Sequence, residues 1–266
     1  MHWALELKKL FFQLSPSLAI RLSMVGSGER AQELQIVKAL VPSDRAAVDI
    51  GASWGLYTQL FRTCTKSVVA FEANPEKAAY LRRVFGRTVI VHSIALSDQS
   101  GDTELVIPNS SSALATIESA NPLSRLGPKE AARIRVPMRK LDDVQLDKVG
   151  FIKIDVEGHE LSVISGGRSL LLRDRPVLFV EIERRRNSLT FEQVFSILRD
   201  VGYRGFFHAG IRISDIRHFD AERDQGSQHL AETSGLKDYV FNFLFIPKGD
   251  NTPLMALRSA GFTVID

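Results

Sequence analysis

Two patterns of apolar residues divide the chain at about residue 42. Before it, Trp3, Leu7 and Leu10 recur at helical spacing, and a second helix is predicted over residues 31–40. After it, short continuous apolar runs alternate with stretches of helical spacing. Continuous apolar strands that alternate with helices indicate a parallel sheet covered on both faces.

The second part of the chain contains five predicted strands, four of them followed by a helix, and a later apolar run, residues 239–246. The strands are predicted at residues 46–50, 67–72, 89–92, 150–155 and 176–181, and the helices at 56–63, at 75–85, after Gly158 and at 190–200. Right-handed crossovers between such strands give a doubly wound sheet. The predicted fold class is therefore α/β, a Rossmann-like and mostly parallel seven-stranded sheet with an N-terminal helical extension and an inserted lid.

The same patterns predict the domain boundaries. Residues 1–41 form the helical extension, residues 42–248 the main domain and residues 249–266 a C-terminal tail. Two polar stretches, residues 109–132 and 219–238, interrupt the alternation and are predicted to be insertion loops, the first of them the lid. Long insertions in compact domains often contact a ligand, and each loop is either such a segment or a disordered surface loop.

The N-terminal helices are expected to cover one edge of the main domain or to pair with a second copy as a homo-oligomer. Peripheral membrane contact, aided by Lys8 and Lys9, is the alternative. No transmembrane segment is predicted, because no apolar run approaches the roughly 20 residues that a bilayer requires. Charged residues interrupt the first apolar stretch, so no signal peptide is predicted either. Cys64 is the only cysteine, which excludes an internal disulfide and favours a reducing, cytoplasmic setting.

Composition adds little to this interpretation. Hydrophobic residues make up 44% and charged residues 24% of the chain, as in ordinary globular proteins. The formal net charge is only +3, too weak a balance to argue for a nucleic-acid partner, and none is expected.

Acids and glycines follow the predicted strands at the edge where a doubly wound sheet binds its ligands. Gly51 and Gly55 bracket the first turn as G-x-x-x-G, where glycine permits positive φ and close approach to a ligand. This is not the G-x-G-x-x-G fingerprint of dinucleotide binding, and Asp49 would repel a pyrophosphate at this turn. The same carboxylate suits a ligand that carries an ammonium and a sulfonium, such as S-adenosylmethionine.

Glu72 closes the second strand at about 20 residues from the turn, where an acid accepts both ribose hydroxyls. Ser97 and Asp98 follow the third strand and are candidates for the adenine amine. For each acid the alternative is a solvated turn or a helix cap. The predicted cofactor-binding residues are Asp49, Gly51, Ala52, Ser53, Gly55, Tyr57, Thr58, Glu72, Ala73, Asn74, Ser97, Asp98 and Asp155.

Several of these residues belong to longer segments with a shared order and spacing. The segments are Val48–Thr58, Phe71–Pro75, Ile94–Asp98, Leu141–Asp143, Phe151–Glu160 and Arg175–Glu181. Together they resemble the FkbM family of S-adenosylmethionine-dependent methyltransferases over about residues 46 to 183. Ser53 departs from the family pattern, which usually has asparagine there. The resemblance implies O-methylation, frequently of sugars or of glycosylated and polyketide-type metabolites.

Methyl transfer to a hydroxyl needs an in-line geometry in a dry pocket and removal of the hydroxyl proton by a side chain or a metal. Asp155, Glu157 and His159 follow the fourth strand and Glu181 closes the fifth, so these four form the predicted catalytic, acceptor-side cluster. Glu157 or His159 could be the base, although His159 could instead face solvent at a helix N-terminus. A divalent metal held by the same groups is an alternative that is not favoured, since spacing alone does not reveal a metal-binding trio.

Other interpretations remain open at this level. The basic run 184–186 is either a solvated turn or a site for an acidic acceptor. An NAD-type oxidoreductase is supported by Glu72 but opposed by the G-x-x-x-G turn. A nucleobase methyltransferase would be expected to carry an Asn/Asp-Pro-Pro-aromatic segment where Asp155–Gly158 stands. A non-catalytic S-adenosylmethionine-binding protein is the last alternative.

Overall fold

The computed structural model describes residues 29–186, 190–226 and 239–265, together with Ile20. The helical pattern of Trp3 to Leu10 lies outside these residues, as do residues 227–238 of the second predicted insertion loop. No helix within the described ranges is long and apolar enough to cross a membrane.

Eight helices and twelve strands are formed by the described residues. The helices are α1 (Glu29–Leu40), α2 (Leu56–Cys64), α3 (Pro75–Phe85), α4 (Glu160–Ser165), α5 (Arg168–Asp174), α6 (Thr190–Asp200), α7 (Ala221–Asp224) and α8 (Thr252–Ser259). The strands are β1 (Ala46–Ile50), β2 (Val68–Phe71), β3 (Ile90–His92), β4 (Ala95–Ser97), β5 (Gly101–Pro108), β6 (Ala131–Lys140), β7 (Val149–Ile154), β8 (Val177–Glu181), β9 (Tyr203–Ala209), β10 (Arg212–Asp215), β11 (Asn242–Pro247) and β12 (Thr263–Ile265). The five predicted strands and the four predicted helices that follow them are therefore confirmed to within a few residues.

The main sheet has the strand order β12-β10-β9-β11-β8-β7-β1-β2-β3. Strands β1, β2, β3, β7 and β8 pair in parallel. β11 runs antiparallel to both of its neighbours, and β10 runs antiparallel to β9. The predicted mostly parallel α/β sheet is confirmed, although the sheet is mixed. The predicted count of seven strands was wrong, because the sheet contains nine strands within the described residues. The strands not located in the sequence are β9, β10 and β12, and the last two are only four and three residues long, too short to carry a pattern.

Each face of the main sheet has its own core, because successive strand side chains point to opposite faces. Phe151 of β7 and Phe179 of β8 pack with residues of α1, α2 and α8 on one face. Ile152 and Val180, one position later on the same strands, pack with α4, α5 and α6 on the other. The two cores cover the faces of the sheet but not the carboxyl ends of its parallel strands. Polar side chains cluster at that edge.

A second, three-stranded sheet has the order β4-β6-β5 and lies beside this edge. Residues 109–130, which we call the arm, connect β5 to β6 as part of the first predicted insertion. The arm contains two short 3-10 helices, Ser112–Leu114 and Pro122–Arg125, and turns back on β5 through a bridge between Thr116 and Val106.

The segment predicted as a C-terminal tail is built into the sheet and core instead. β12 pairs in parallel with β10, and α8 packs against α1. Leu254, Leu257 and Phe262 are buried in the same core as α1. The segment is short and half polar, so its few apolar positions gave no sign of this packing.

Candidate active site

The turn after β1 has a backbone that only glycine accommodates at its first position. Gly51 has φ +81°, and a Cβ there would lie 1.8 Å from the carbonyl oxygen of Asp155. Gly55, with φ +84°, packs in the same way against Leu81 and Phe85. Because the backbone of Gly51 touches that of Asp155, the ends of β1 and β7 meet directly and leave a cleft above them.

Glu72, just after β2, is buried with both carboxylate oxygens aimed at backbone amides. Ser53 N donates to Oε2 at 2.7 Å and Asn74 N donates to Oε1 at 2.8 Å. Burial raises the pKa of Glu72, while nearby Lys77 opposes the shift. A carboxylate has about four acceptor positions, so two remain for the hydroxyls of a ribose. This donor and acceptor set fits the nucleoside part of the predicted cofactor.

A pocket with about 560 Å³ of empty space, part of it open to solvent, lies above this turn. The predicted residues that line it are Gly51, Ser53, Glu72, Ala73, Asp155, Glu157 and His159. Its apolar wall includes Leu96 of β4, Leu105 of β5 and Ile117 of the arm. The pocket therefore has both polar and apolar lining residues. Such a lining suits a nucleoside, whose ribose is polar and whose base is flat and weakly polar.

Asp49 does not line this pocket. Its side chain is 1% exposed, and the hydroxyl of Thr58 donates to its Oδ2. Burial raises the pKa of Asp49 to about 6, against the hydrogen bond from Thr58. The carboxylate therefore joins β1 to the first turn of α2. The predicted residues Ala52, Gly55, Tyr57, Thr58 and Asn74 likewise belong to the turn and to the helix starts, outside the pocket lining.

Ser97 and Asp98 are also outside the pocket lining. Asp98 is exposed, whereas Ser97 is 1% exposed with its Oγ 2.9 Å from His159 Nε2. His159 Nδ1 lies 2.9 Å from Oε2 of Glu118 in the arm. The order Ser97–His159–Glu118 is that of a hydrolase triad, but a buried serine is out of reach of a substrate. Both ring nitrogens of His159 lie within hydrogen-bonding distance of protein groups, so in this arrangement neither is directed at a molecule in the pocket.

Glu157 connects the pocket to the arm and to the end of β8. Its carbonyl oxygen accepts from Thr116 Oγ1 at 2.9 Å and from Asn121 Nδ2 at 2.7 Å, while its Oε2 lies 2.8 Å from Arg186 Nε. Burial and the charge of Asp155 raise the pKa of Glu157 to about 8 in spite of Arg186. The carboxyl is therefore mostly protonated near neutral pH and is a poor proton acceptor there.

Asp155 and Glu181, at the ends of β7 and β8, share the buried ammonium of Lys153. Lys153 Nζ lies 3.4 Å from Asp155 Oδ2 and 3.8 Å from Glu181 Oε2. Burial lowers the pKa of Lys153, but the surrounding carboxylates raise it overall. Burial and the charge of Asp155 raise the pKa of Glu181 well above its usual value. Of these two acids only Asp155 lines the pocket above the glycine turn.

Charged groups behind this cluster are paired with one another. The arginines of the basic run pair as Arg184 with Glu222, Arg185 with Glu183, and Arg186 with Glu157. The run is therefore engaged with neighbouring acids. Within the described ranges, no three or more His, Cys, Asp or Glu side chains are grouped so that they could hold a metal ion.

Two residues of the pocket region had no signal in the sequence. Lys77 of α3 is 3% exposed, lines the pocket and donates to Ser53 Oγ at 3.1 Å and to the carbonyl of Ser112 in the arm. Glu118 reaches His159 across 41 residues of sequence. Lys77 contacts the arm and Glu118 belongs to it, and contacts between segments so far apart in the chain are not predicted by a local sequence pattern.

This sheet, glycine turn and ribose-type acid have the layout of Rossmann-like proteins that bind an adenosine-containing cofactor. The model of the methyltransferase FkbM domain matches residues 47–204. The chain belongs to the FkbM family of S-adenosylmethionine-dependent methyltransferases, which confirms the family resemblance. No curated protein matches the chain.

Several solved methyltransferase structures are similar to the chain at low identity. The FkbM methyltransferase from Methylobacillus flagellatus KT is 17% identical, with a TM-score of 0.49 over 76% of this chain and 43% of the other. This chain thus spans less than half of that protein. An O-methyltransferase from Bacillus cereus in complex with S-adenosylhomocysteine is 11% identical (TM-score 0.43, 91% and 97% covered). A TehB-like methyltransferase from Corynebacterium glutamicum is 11% identical (TM-score 0.42, 86% and 93% covered).

Proposed function

We propose that the protein transfers the methyl group of S-adenosylmethionine to a hydroxyl of a sugar, glycan or small secondary metabolite. The observation that carries the proposal is that Glu72 and Asp155 line one pocket. The first suits the ribose of the cofactor, and the second is a carboxylate at the adjoining strand end. Membership of the family supports the cofactor, and the sugar or metabolite acceptor rests on the family resemblance.

In this proposal the residues of the pocket bind and enclose the cofactor. Glu72 accepts hydrogen bonds from the ribose hydroxyls, and Leu96 and Ile117 cover the base. S-adenosylmethionine, when bound, supplies a methyl group on a sulfonium, which is an excellent leaving group. The protein contributes position and exclusion of water, which can account for much of the rate.

We assign the acceptance of the hydroxyl proton to Asp155. The ring nitrogens of His159 are engaged, and the raised pKa of Glu157 leaves it mostly protonated near neutral pH. Asp155 lines the pocket, and its Oδ2 lies 3.4 Å from the ammonium of Lys153. A cytoplasmic setting, which the single cysteine favours, is part of the same proposal.

The test of the cofactor site is the affinity for S-adenosylhomocysteine, measured by isothermal titration calorimetry. Glu72→Gln replaces a carboxylate oxygen by an amide that cannot accept a ribose hydroxyl, and we expect at least about tenfold weaker binding. Glu76→Gln, at an exposed position of the adjoining helix, is the matched control and should bind as the wild type does. Equal affinity in Glu72→Gln and the control would contradict the site.

A further inference from the structure

Lys77 of α3 has its ammonium buried at the pocket above the glycine turn, residues 51–55. Its side chain is 3% exposed, and it lines the pocket. Nζ donates to Ser53 Oγ at 3.1 Å and to the carbonyl oxygen of Ser112. These acceptors belong to the glycine turn and to the arm, so Nζ is held where three segments of the chain meet. A buried ammonium is unfavourable unless its hydrogen bonds are completed, so each of its donors needs a partner.

One N–H group of this ammonium is left over. An ammonium has three donors, and within the described ranges Nζ donates to the two acceptors in Ser53 and Ser112 only. Burial lowers the pKa of Lys77, while the charges of Glu72 and Asp155 oppose the shift and favour the ammonium form. Lys77 is the only lysine or arginine in the described lining of the pocket. The third donor is therefore available to a molecule bound there.

This donor lies beside the carboxylate of Glu72. The backbone N of Ser53 donates to Glu72 Oε2 at 2.7 Å, and Oγ of the same Ser53 accepts from Lys77 Nζ at 3.1 Å. Because a single residue contacts both groups, the ammonium and the carboxylate are neighbours at one end of the pocket. A bound molecule therefore meets a hydrogen-bond acceptor and a hydrogen-bond donor at the same place.

A ribose hydroxyl matches this pair. A hydroxyl has one donor and two acceptor positions, whereas an ionised carboxylate only accepts. A hydroxyl that donates to Glu72 therefore keeps its oxygen lone pairs free, and Lys77 can donate to them. A deoxyribose that lacks this hydroxyl leaves the buried ammonium with an unmade hydrogen bond, which costs more than a hydrogen bond missing in water.

We propose that Lys77 donates its third N–H to the oxygen of a ribose hydroxyl of the cofactor and makes the site selective for ribonucleosides. The inference rests on the proposed function, which assigns the ribose of the cofactor to Glu72. Since the same ammonium also holds the carbonyl of Ser112, this contact ties the arm to the bound cofactor.

The test compares S-adenosylhomocysteine with its 2′-deoxy and 3′-deoxy forms by isothermal titration calorimetry. We expect Lys77→Met to weaken the binding of S-adenosylhomocysteine at least about tenfold, as for the loss of a hydrogen bond from a charged group. With the deoxy ligand that lacks the contacted hydroxyl, the loss caused by Lys77→Met should be at least about threefold smaller. Lys66→Met, at an exposed position before β2, should bind every ligand as the wild type does.

Equal losses for all three ligands would overturn the contact, because a purely structural role of Lys77 affects each of them alike. 5′-Methylthioadenosine has the ribose but not the amino-acid carboxylate, and Lys77→Met should weaken its binding as much as that of S-adenosylhomocysteine. Unchanged binding of 5′-methylthioadenosine would assign Lys77 to the carboxylate and overturn the ribose contact. Lys77→Gln, a shorter neutral side chain, should give the same pattern and keeps the test decisive if Lys77→Met does not fold.

Failure of this inference is distinguishable from failure of the proposed function. The affinity of the wild type for S-adenosylhomocysteine is measured first. Absence of binding would contradict the proposed function and the contact of Lys77 together. Binding that Glu72→Gln weakens, with equal losses for every ligand in Lys77→Met, would overturn the contact of Lys77 and leave the cofactor site in place.

Discussion

Glu157 lines the pocket, and its raised pKa also makes the stability of the whole protein depend on pH. Its backbone has φ +54°, and its carboxyl is enclosed near Asp155 and Glu183 with Arg186 as its cation. Burial raises the pKa of Glu157 from 4.5 to about 8. The folded protein therefore keeps a proton on this carboxyl over a pH range in which the unfolded chain has lost it.

The sign of the resulting pH dependence follows directly. The stabilisation of the neutral carboxyl is fully present below pH 4.5 and is lost as the pH rises through about 8. Between about pH 5 and 8, one such proton lowers the free energy of unfolding by up to about 1.4 kcal/mol per pH unit. We expect Glu157→Gln to flatten this slope, as measured by urea unfolding at a series of pH values. Glu192→Gln, an exposed control, should keep the wild-type slope; an unchanged slope in Glu157→Gln would show that the group does not hold the proton.

Among single residues, the sequence predicted pocket residues best where the pocket is formed by the backbone of a turn. Gly51 and Glu72 were predicted, and both line the pocket. Asp49 shows the opposite case. Its position before the glycine turn predicted a contact with the ligand, but the side chain of a strand residue points to one face or the other, and here Thr58 of α2 covers it. A local sequence pattern does not show which helix covers the end of a strand, because that depends on tertiary packing.

The arm is the element whose contacts could change the affinity for the cofactor most. Its residues Ala113, Ala115 and Ile117 line the proposed cofactor pocket, and Thr116 between them donates to the carbonyl of Glu157 at 2.9 Å. That hydrogen bond fixes the arm against the loop after β7. The arm is therefore expected to be the part of the pocket most sensitive to a single lost contact.

Thr116→Val removes this hydroxyl with little change of shape, leaving the buried carbonyl of Glu157 with Asn121 alone. We expect faster amide hydrogen exchange in residues 109–130 and about three- to tenfold weaker binding of S-adenosylhomocysteine, for a loss of roughly 1 kcal/mol. Thr103→Val, on β5 of the same hairpin, is the matched control. Exchange and affinity equal to those of the control would mean that this contact does not position the arm.

The predictability of elements followed their length and regularity. α3 and α6 were predicted at the residues where they begin and end, because Pro75 marks the start of the first and apolar periodicity marks the second. β10 and β12 were not predicted, since strands this short are defined by their pairing partners. The pairing of β4 with β6, rather than with the main sheet, likewise depends on contacts more than 40 residues apart.

The whole molecule is held together by a core that includes both ends of the described chain. α1 and α8 pack on the same face of the main sheet as α2, and Leu257 of α8 is fully buried beside residues such as Val37. The polar side chains of Lys153, Glu181 and Asn242 lie at the carboxyl edge above this core. This edge of the sheet therefore rests on segments that the sequence assigned to an extension and to a tail.

Because of this shared core, we expect residues 252–265 to unfold together with the main domain. Leu257→Ala leaves a cavity at a position with 0% exposure and should lower the free energy of unfolding by about 2–5 kcal/mol. The neighbouring Met255 is 62% exposed, so Met255→Ala should change it by less than about 0.5 kcal/mol. Urea unfolding followed by circular dichroism should show a single transition that moves as a whole in Leu257→Ala. A separate early transition in that variant, with the main one unmoved, would instead show that the C-terminal segment is only an appendage and that α1 holds its place without α8.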